Sequence, residues 1–524
     1  MKICKKLKVF IFIGGLVLTW IFCSKVLQTP KNEEWQAEGL KKVYEKPNYY
    51  DVIISGTSIA ITNISAEELY LAYGIASVSI GEPEQMTFLS YYALENALKY
   101  QSPKVVLFDI QSIFYSEDVQ KERIKTNENY YVHYTLDDIE DVKIKSEAVE
   151  QVKKINSEST YWDYFSKMFY NHANWENINK RNFISKQKES WILNNRNLIG
   201  VQENVSNIRM MSAEDNTKQK VEIPEVNIVY LKKIADLCKS NNIKLVLTRG
   251  CGSQSWDWEQ YNTAVDLAQE LEVPYLDLTM YEEEIGFDWT TDSYDGRHHN
   301  VNGTKKWTDF IGNYLVKNYN LEDRRDNEKY SQYEKEKEKY TGFVSAMQTK
   351  IDLLRAVNLN QYFDTLLNMD KTNNTIFISV YDEASNCLSD ISQNYIWALG
   401  LDTDLRDKYR YSYYGLIDDG IVADELCSEN GIQTSGILGN GEAYDIISGG
   451  WISEQESSIK INGTEYGQGG RGINIVVYNK ISKEVLSSVY FDTFAKSNPE
   501  ARRIVNGISQ CEIDINTWEN VNNE

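Results

Sequence analysis

The stretch "DGRHHNVNG", residues 295–303, holds two of the chain's four histidines and an aspartate three residues before the first. Asp-x-x-His on one loop can set a carboxylate against an imidazole and fix its tautomer, which readies the ring to take a proton. A base of this kind needs a nucleophile. A serine hydroxyl is a poor one until such a base relieves it of its proton. Ser58 offers that hydroxyl at the end of "DVIISGTS", residues 51–58, on the turn that follows a short apolar run. Asp295, His298 and Ser58 therefore form the candidate catalytic set, and His299, next to His298, points elsewhere by simple geometry. The competing reading makes each of them an ordinary turn residue. A metal hydrolase is disfavoured, since adjacent histidines rarely share one metal and no C-x-x-C pair or second ligand cluster accompanies them.

The elements that must position these residues alternate. Strands are expected in "DVIIS", "IASVSIG", "KVVLFDI", "IKLVLTRG" and "VPYLDL". Helices are expected in "AEELYLAYG", "FLSYYALENALKY", "NIVYLKKIADLCKSNN", "YNTAVDLAQELE" and "GTKKWTDFIGNYLVKNY". Such alternation implies an α/β domain with a flavodoxin-like parallel sheet covered by helices on both faces. In such sheets chemistry gathers at the C-terminal strand ends, and Ser58, Gly81, Gln111 and Arg249 all fall there. Arg249 is a candidate holder of substrate charge, with pairing to one of the many carboxylates as its rival. The alternation lapses over residues 115–220, a polar, aromatic-rich insertion expected to fold partly as helices and to cover the site. Residues 321–344 read as a charged linker or solvated helix. From 345 to 524 a β-rich and Gly-rich texture marks a second, α+β domain.

Composition narrows the function classes. Hydrophobic residues at 42% and charged residues at 25% are those of a folded protein, and 524 residues exceed one ordinary core. A net charge of −22 argues against nucleic-acid partners, which need a cationic footprint. The N-terminus carries Lys2, Lys5, Lys6 and Lys8 before an uncharged run from Val9 to Cys23. That pattern over residues 1–30 predicts a membrane anchor with its N-terminus inside and the bulk of the chain outside, although the run is short against the about 20 residues of a spanning helix. A cleaved signal peptide is the rival, but no A-x-A-like site follows. Seven cysteines without paired spacing give no disulfide framework.

The blocks "ISGTS" and "DGRHHNVNG", with "YGIASVSIG", "LSYYALENALKYQSPKVVLFDI" and "DWTTDSYDGRHHNVNGTKKWTDFIGNYL", resemble the SGNH (GDSL-like) hydrolase superfamily. They are most similar to its membrane-anchored branch in Gram-positive bacteria. The resemblance spans residues 46–320 and implies Ser58 as nucleophile, His298 as base and Asp295 as its orienting acid, with no cofactor. It also implies oxyanion donors at Gly81 and at Gln111, which stands where the superfamily has asparagine. Thr57 replaces the usual aspartate of G-D-S. "HANW" resembles the branch's H-x-R-W segment, with Asn174 for the arginine and His172 as a possible substrate-binding residue. In the second domain, "GRGINIVV…FDT" and "IFISVYDEAS…YRYSYYGLIDDG" resemble the two halves of an ILEI/PANDER domain in permuted order, a family with carbohydrate-binding members. Together the resemblances imply an external, membrane-anchored esterase or O-acyltransferase acting on acyl, most simply acetyl, esters of a cell-envelope glycan. A membrane-bound O-acyltransferase is the partner implied. The alternative is an inert SGNH scaffold that binds surface carbohydrate through its second domain.

Overall fold

The computed structural model describes residues 5–26, 39–125, 131–165, 175, 216–252, 256–293, 295–451, 457–505 and 508–509. The chain divides into two compact units, Met1–Lys337 and Glu338–Glu524. The first is built on five strands: β1 (Val52–Ser55), β2 (Ser77–Ser79), β3 (Val105–Asp109), β4 (Lys244–Arg249) and β5 (Tyr275–Asp277). They pair in the order β2-β1-β3-β4-β5, all parallel, with Val52 opposite both Ser77 and Val105 and Val105 opposite Lys244. This is the flavodoxin-like order, whose switch point lies between β1 and β3.

The strands are apolar on both faces because both faces are covered. Val52, Ile54, Val105, Leu107 and Val246 pack with Leu69 and with Trp307, Ile311 and Leu315 in one core. Those partners come from helices Ala66–Tyr73 and Val301–Asn318. Alternate residues such as Ile53, Val106 and Phe108 turn to the opposite face. Helix Ala66–Tyr73 starts on the Ser65 cap and stops at Gly74, whose φ of 68° is left-handed. Helices Thr87–Ala97 and Glu225–Ser240 pack on each other, with the Tyr92 and Tyr230 hydroxyls 3.1 Å apart.

The insertion is helical in its described part, and its helices Glu117–Lys125 and Tyr131–Asp138 reach the loop after β2, where Arg123 donates to Glu84 at 2.8 Å and Gln85 donates to the Thr135 hydroxyl at 2.9 Å. Helix Val142–Ile155 buries Ile144, Ala148, Val149 and Val152 and packs on helix Thr87–Ala97, and Gln151 accepts from the Tyr230 hydroxyl at 3.3 Å. This last helix thus buttresses a flank of the sheet. Of the two expectations for residues 321–344, charged linker or solvated helix, the chain from Ser331 follows the helix, but not a wholly solvated one. A single helix runs Ser331–Arg355 across the boundary between the units, and Tyr330, Tyr333 and Tyr340 are buried. Tyr333 stacks on Tyr70 with ring centroids 3.8 Å apart, so charge on the remaining positions hid an apolar stripe.

At the N-terminus, Lys5–Val26 form one helix with Phe10, Phe12, Leu18 and Phe22 exposed. Among the described residues no helix is long and apolar enough to cross a membrane. The expected spanning helix is therefore not supported. Lysines occupy its first turn and Lys25 follows Ser24 near its end, leaving only Val9–Ser24 uncharged between them.

The second unit is β-rich. Its central strand β6 (Asn374–Asp382) pairs antiparallel with β7 (Ser412–Asp418) and with β13 (Gly472–Asn479), which continues as a hairpin into β14 (Glu484–Phe491). Between β7 and β13 lie β8 (Ile421–Ser428), β9 (Ile432–Ile437), β10 (Ala443–Gly450), β11 (Ser457–Ile461) and β12 (Thr464–Glu465). Phe377, Leu416, Ile446, Ile459 and Val476 share one core.

Candidate active site

Ser58 owes its place to a turn with little freedom. After β1, Gly56 adopts φ +138°, and a Cβ there would lie 2.8 Å from the Asp109 side chain and 3.0 Å from its carbonyl oxygen. Only glycine fits. Thr57 then caps helix Ser58–Asn63, its hydroxyl accepting from the Ile59 N–H at 3.3 Å. Ser58 is the first helical residue, at the C-terminal edge of the sheet beside the switch point.

From the far end of the unit, the 293–300 loop meets it. His298 Nε2 lies 2.8 Å from Ser58 Oγ, and His298 Nδ1 lies 2.7 Å from Asp295 Oδ2. Asp295 Oδ1 accepts from the backbone N–H groups of Arg297 and His298 at 2.9 and 2.8 Å. Burial works against the Asp295 charge, but the His298 ring and these N–H groups outweigh it and hold the carboxyl below the usual aspartate range. The three residues expected from the sequence are thus brought together.

The remainder of "DGRHHNVNG" holds the loop. Asn300 caps helix Val301–Asn318 by accepting from the N–H groups of Asn302 and Gly303 at 3.0 and 3.3 Å, and it donates to the Thr291 carbonyl at 2.8 Å. Gly303 packs against the Asp292 carbonyl so closely that a side chain has no room. His299 is wholly buried between Phe287 and Trp289, and burial pushes its ring down to about 3, so it stays neutral.

Asn63, which the sequence reading did not single out, joins the two halves. Its Oδ1 accepts from the His299 N–H at 3.0 Å, and its Nδ2 donates to the carbonyls of Gly250 and, at 3.5 Å, Arg297. Its partners lie about 190 to 240 residues away in sequence, so no local pattern marks it. Asn300 was readable, because an asparagine directly before an amphipathic run is a helix-start signal.

Gly81 abuts the Ser58 turn: a Cβ on it would lie 2.8 Å from the Gly56 carbonyl oxygen and 3.3 Å from that of Thr57. Among the described residues no group accepts from the backbone N–H of Ser58 or Gly81. Gln111, at the end of β3, is buried with its Oε1 3.5 Å from Thr57 Oγ1 and 3.4 Å from an Arg249 terminal nitrogen. Arg249 is wholly buried and donates to Asp109 Oδ2 at 3.5 Å, and it sits 4.7 Å from the Trp256 ring. Of the two sequence readings of Arg249, holder of substrate charge or partner of a carboxylate, its contact with Asp109 is the second. Burial pushes the Asp109 carboxyl up, and Arg249 only partly offsets it. His172 and Asn174 lie outside the described residues.

Among the described residues no group of three or more His, Cys, Asp or Glu side chains could hold a metal ion. A cavity of about 600 Å³ opens between Gln101, Lys104, Asn242 and Lys244, at the N-terminal ends of β3 and β4 and so at the edge opposite Ser58.

No family model matches the sequence, and no curated protein matches it. Five chains of solved structures do. One, described as a "putative acylhydrolase" from Bacteroides fragilis, is 12% identical with a TM-score of 0.26 and is covered over 99% of its length by 55% of this chain. A likeness that distant carries no weight beside the geometry of the site.

Proposed function

We propose that the chain is a serine esterase or O-acyltransferase that acts on acyl esters, acetyl esters foremost, of a cell-envelope glycan. The observation that supports this reading is the continuous hydrogen-bond chain from Ser58 Oγ through His298 to Asp295, at 2.8 and 2.7 Å. With Nδ1–H donated to Asp295, the Nε2 lone pair faces the Ser58 hydroxyl. Ser58 Oγ attacks the acyl carbonyl as Nε2 takes its proton, and the charge on the carbonyl oxygen is met by the N–H groups of Ser58 and Gly81 and by Gln111. The ester C–O bond then breaks, and His298 returns the proton to the departing glycan oxygen. Water or a second sugar hydroxyl, deprotonated in turn by His298, releases the acyl group from Ser58.

The location belongs to the same proposal. The lysines before Val9 favour an N-terminus inside and the rest of the chain outside, where envelope glycans and a membrane-bound acyltransferase would be met. The second unit, in its resemblance to ILEI/PANDER domains, would hold the glycan.

The test is labelling of the full-length chain with a fluorophosphonate, wild type beside Ser58→Ala and His298→Ala. Adduct formation on wild type alone is expected. Absence of an adduct on the folded wild type, together with glycan binding that survives Ser58→Ala, would instead identify an inert carbohydrate-binding scaffold.

A further inference from the structure

Gln111 raises a problem that a shorter side chain would not. An oxyanion donor must present nitrogen, not oxygen, and a glutamine amide has one more rotatable bond than asparagine with which to miss or to turn the wrong way round. We infer that Arg249 is a positioning residue that fixes the sense of the Gln111 amide, so that its N–H₂ end is the one left for the substrate's oxyanion. This inference rests on the serine acyl-transfer reading.

The argument is one of donors and acceptors. A guanidinium only donates, so the end of the amide facing Arg249 at 3.4 Å must be Oε1. Nε2 is then turned away from Arg249 and has no acceptor among the described residues. The arginine is itself held from several sides. Asp109 Oδ2 takes one terminal nitrogen, and the Trp256 ring faces the guanidinium. Trp256 donates to Asp277 Oδ2 at 2.9 Å, and Asp277 also takes the Tyr275 hydroxyl and the Thr279 N–H. The same Asp109 accepts from the Gln111 backbone N–H at 3.1 Å through Oδ1, which lies 3.4 Å from the Thr57 hydroxyl next to Ser58. Three adjacent strand ends thus converge on one amide. A buried cation is a poor means of filling a core, since an apolar side chain of like volume is often as stabilising. Aiming a dipole is a task that the apolar side chain cannot do.

The experiment measures p-nitrophenyl acetate turnover and fluorophosphonate labelling of the full-length chain. It compares wild type, Gln111→Met, Arg249→Met and the double variant. Loss of one oxyanion donor lowers kcat by about 100-fold or more. If Arg249 acts through Gln111, each single variant shows that fall with KM unchanged, and the double variant falls no further. Arg249→Met strands the Asp109 carboxylate and so risks unfolding. The pair Asp109→Asn with Arg249→Met removes both charges and is expected to fold and to show the same kcat loss. Multiplicative losses in the double variant, or wild-type kcat in the folded charge-free pair, would overturn the positioning role while leaving the serine mechanism intact. A wild-type chain that neither turns over nor labels overturns the mechanism and this inference with it.

Discussion

Asp295 makes three hydrogen bonds, and they divide its work. Oδ1 ties the loop through the Arg297 and His298 N–H groups, and Oδ2 takes the His298 ring proton. Asp295→Asn can keep the first task with its carbonyl oxygen. Its N–H₂ would then face Nδ1 and force the proton onto Nε2, where it can no longer accept from Ser58. A fall in kcat of about 10⁴-fold is expected, as for the same change in the chymotrypsin-type triad, with the thermal midpoint nearly unchanged. A loss below tenfold would mean that the tautomer is not what Asp295 controls. Ser58, Asp295 and His298 were legible because residue type and local spacing declare such chemistry. Arg249 was legible as a position with two roles left open, substrate charge or a carboxylate partner. Whether a residue at a strand end faces solvent or a neighbouring carboxylate depends on which strands flank it, and one strand's sequence does not carry that.

At the scale of elements, the site is an agreement between helix Ser58–Asn63 and the loop before helix Val301–Asn318. Three contacts enforce it: the Asn63 clasp, Thr304 Oγ1 donating to the Thr62 carbonyl at 2.7 Å, and the Ser65 N–H donating to Thr308 Oγ1 at 2.9 Å. Asn63→Leu fills the space but strands the His299 N–H and the Gly250 and Arg297 carbonyls. Each buried group so stranded costs about 1–3 kcal/mol. The expected outcome is a lower urea midpoint and at least a tenfold slower fluorophosphonate reaction, with the circular dichroism spectrum kept. Unchanged labelling would show that the remaining contacts hold the register by themselves. Strand and helix existence was readable here, since Ser65, Gly74, Asp257 and Asn300 punctuate an apolar period. The strand order was not, because parallel neighbours are separated by whole helices and share no local pattern. The helix from Ser331 was one of two readings of its segment, but its buried side was not legible: Tyr333 and Tyr340 are few against the surrounding charges, and only their spacing reveals the buried stripe.

The whole first unit carries buried ionisable groups whose sum sets its response to pH. Burial pushes the carboxyls of Glu67 and Glu282 up to about 7 and the ring of His299 down to about 3. A carboxyl whose folded value is raised binds more protons folded than unfolded between roughly pH 4.5 and 7, so its contribution to stability grows as pH falls through that window. A histidine whose folded value is lowered does the reverse below its ordinary value. Between pH 7.5 and 5 the linkage amounts to about 2 kcal/mol gained for each glutamate and about 2 kcal/mol lost for the histidine. The two glutamates outweigh the histidine, and the easing of self-repulsion in a chain of net charge −22 acts in the same sense. Asp295, held low, stays charged throughout this window and adds nothing to the slope. The urea midpoint of the first unit should therefore rise from pH 7.5 to 5. Glu67→Gln combined with Glu282→Gln removes that gain and leaves the His299 loss opposed mainly by the easing of self-repulsion, so the slope should flatten or reverse. A wild-type midpoint that falls over the same interval would mean that water reaches these glutamates and that their burial does not set their charge.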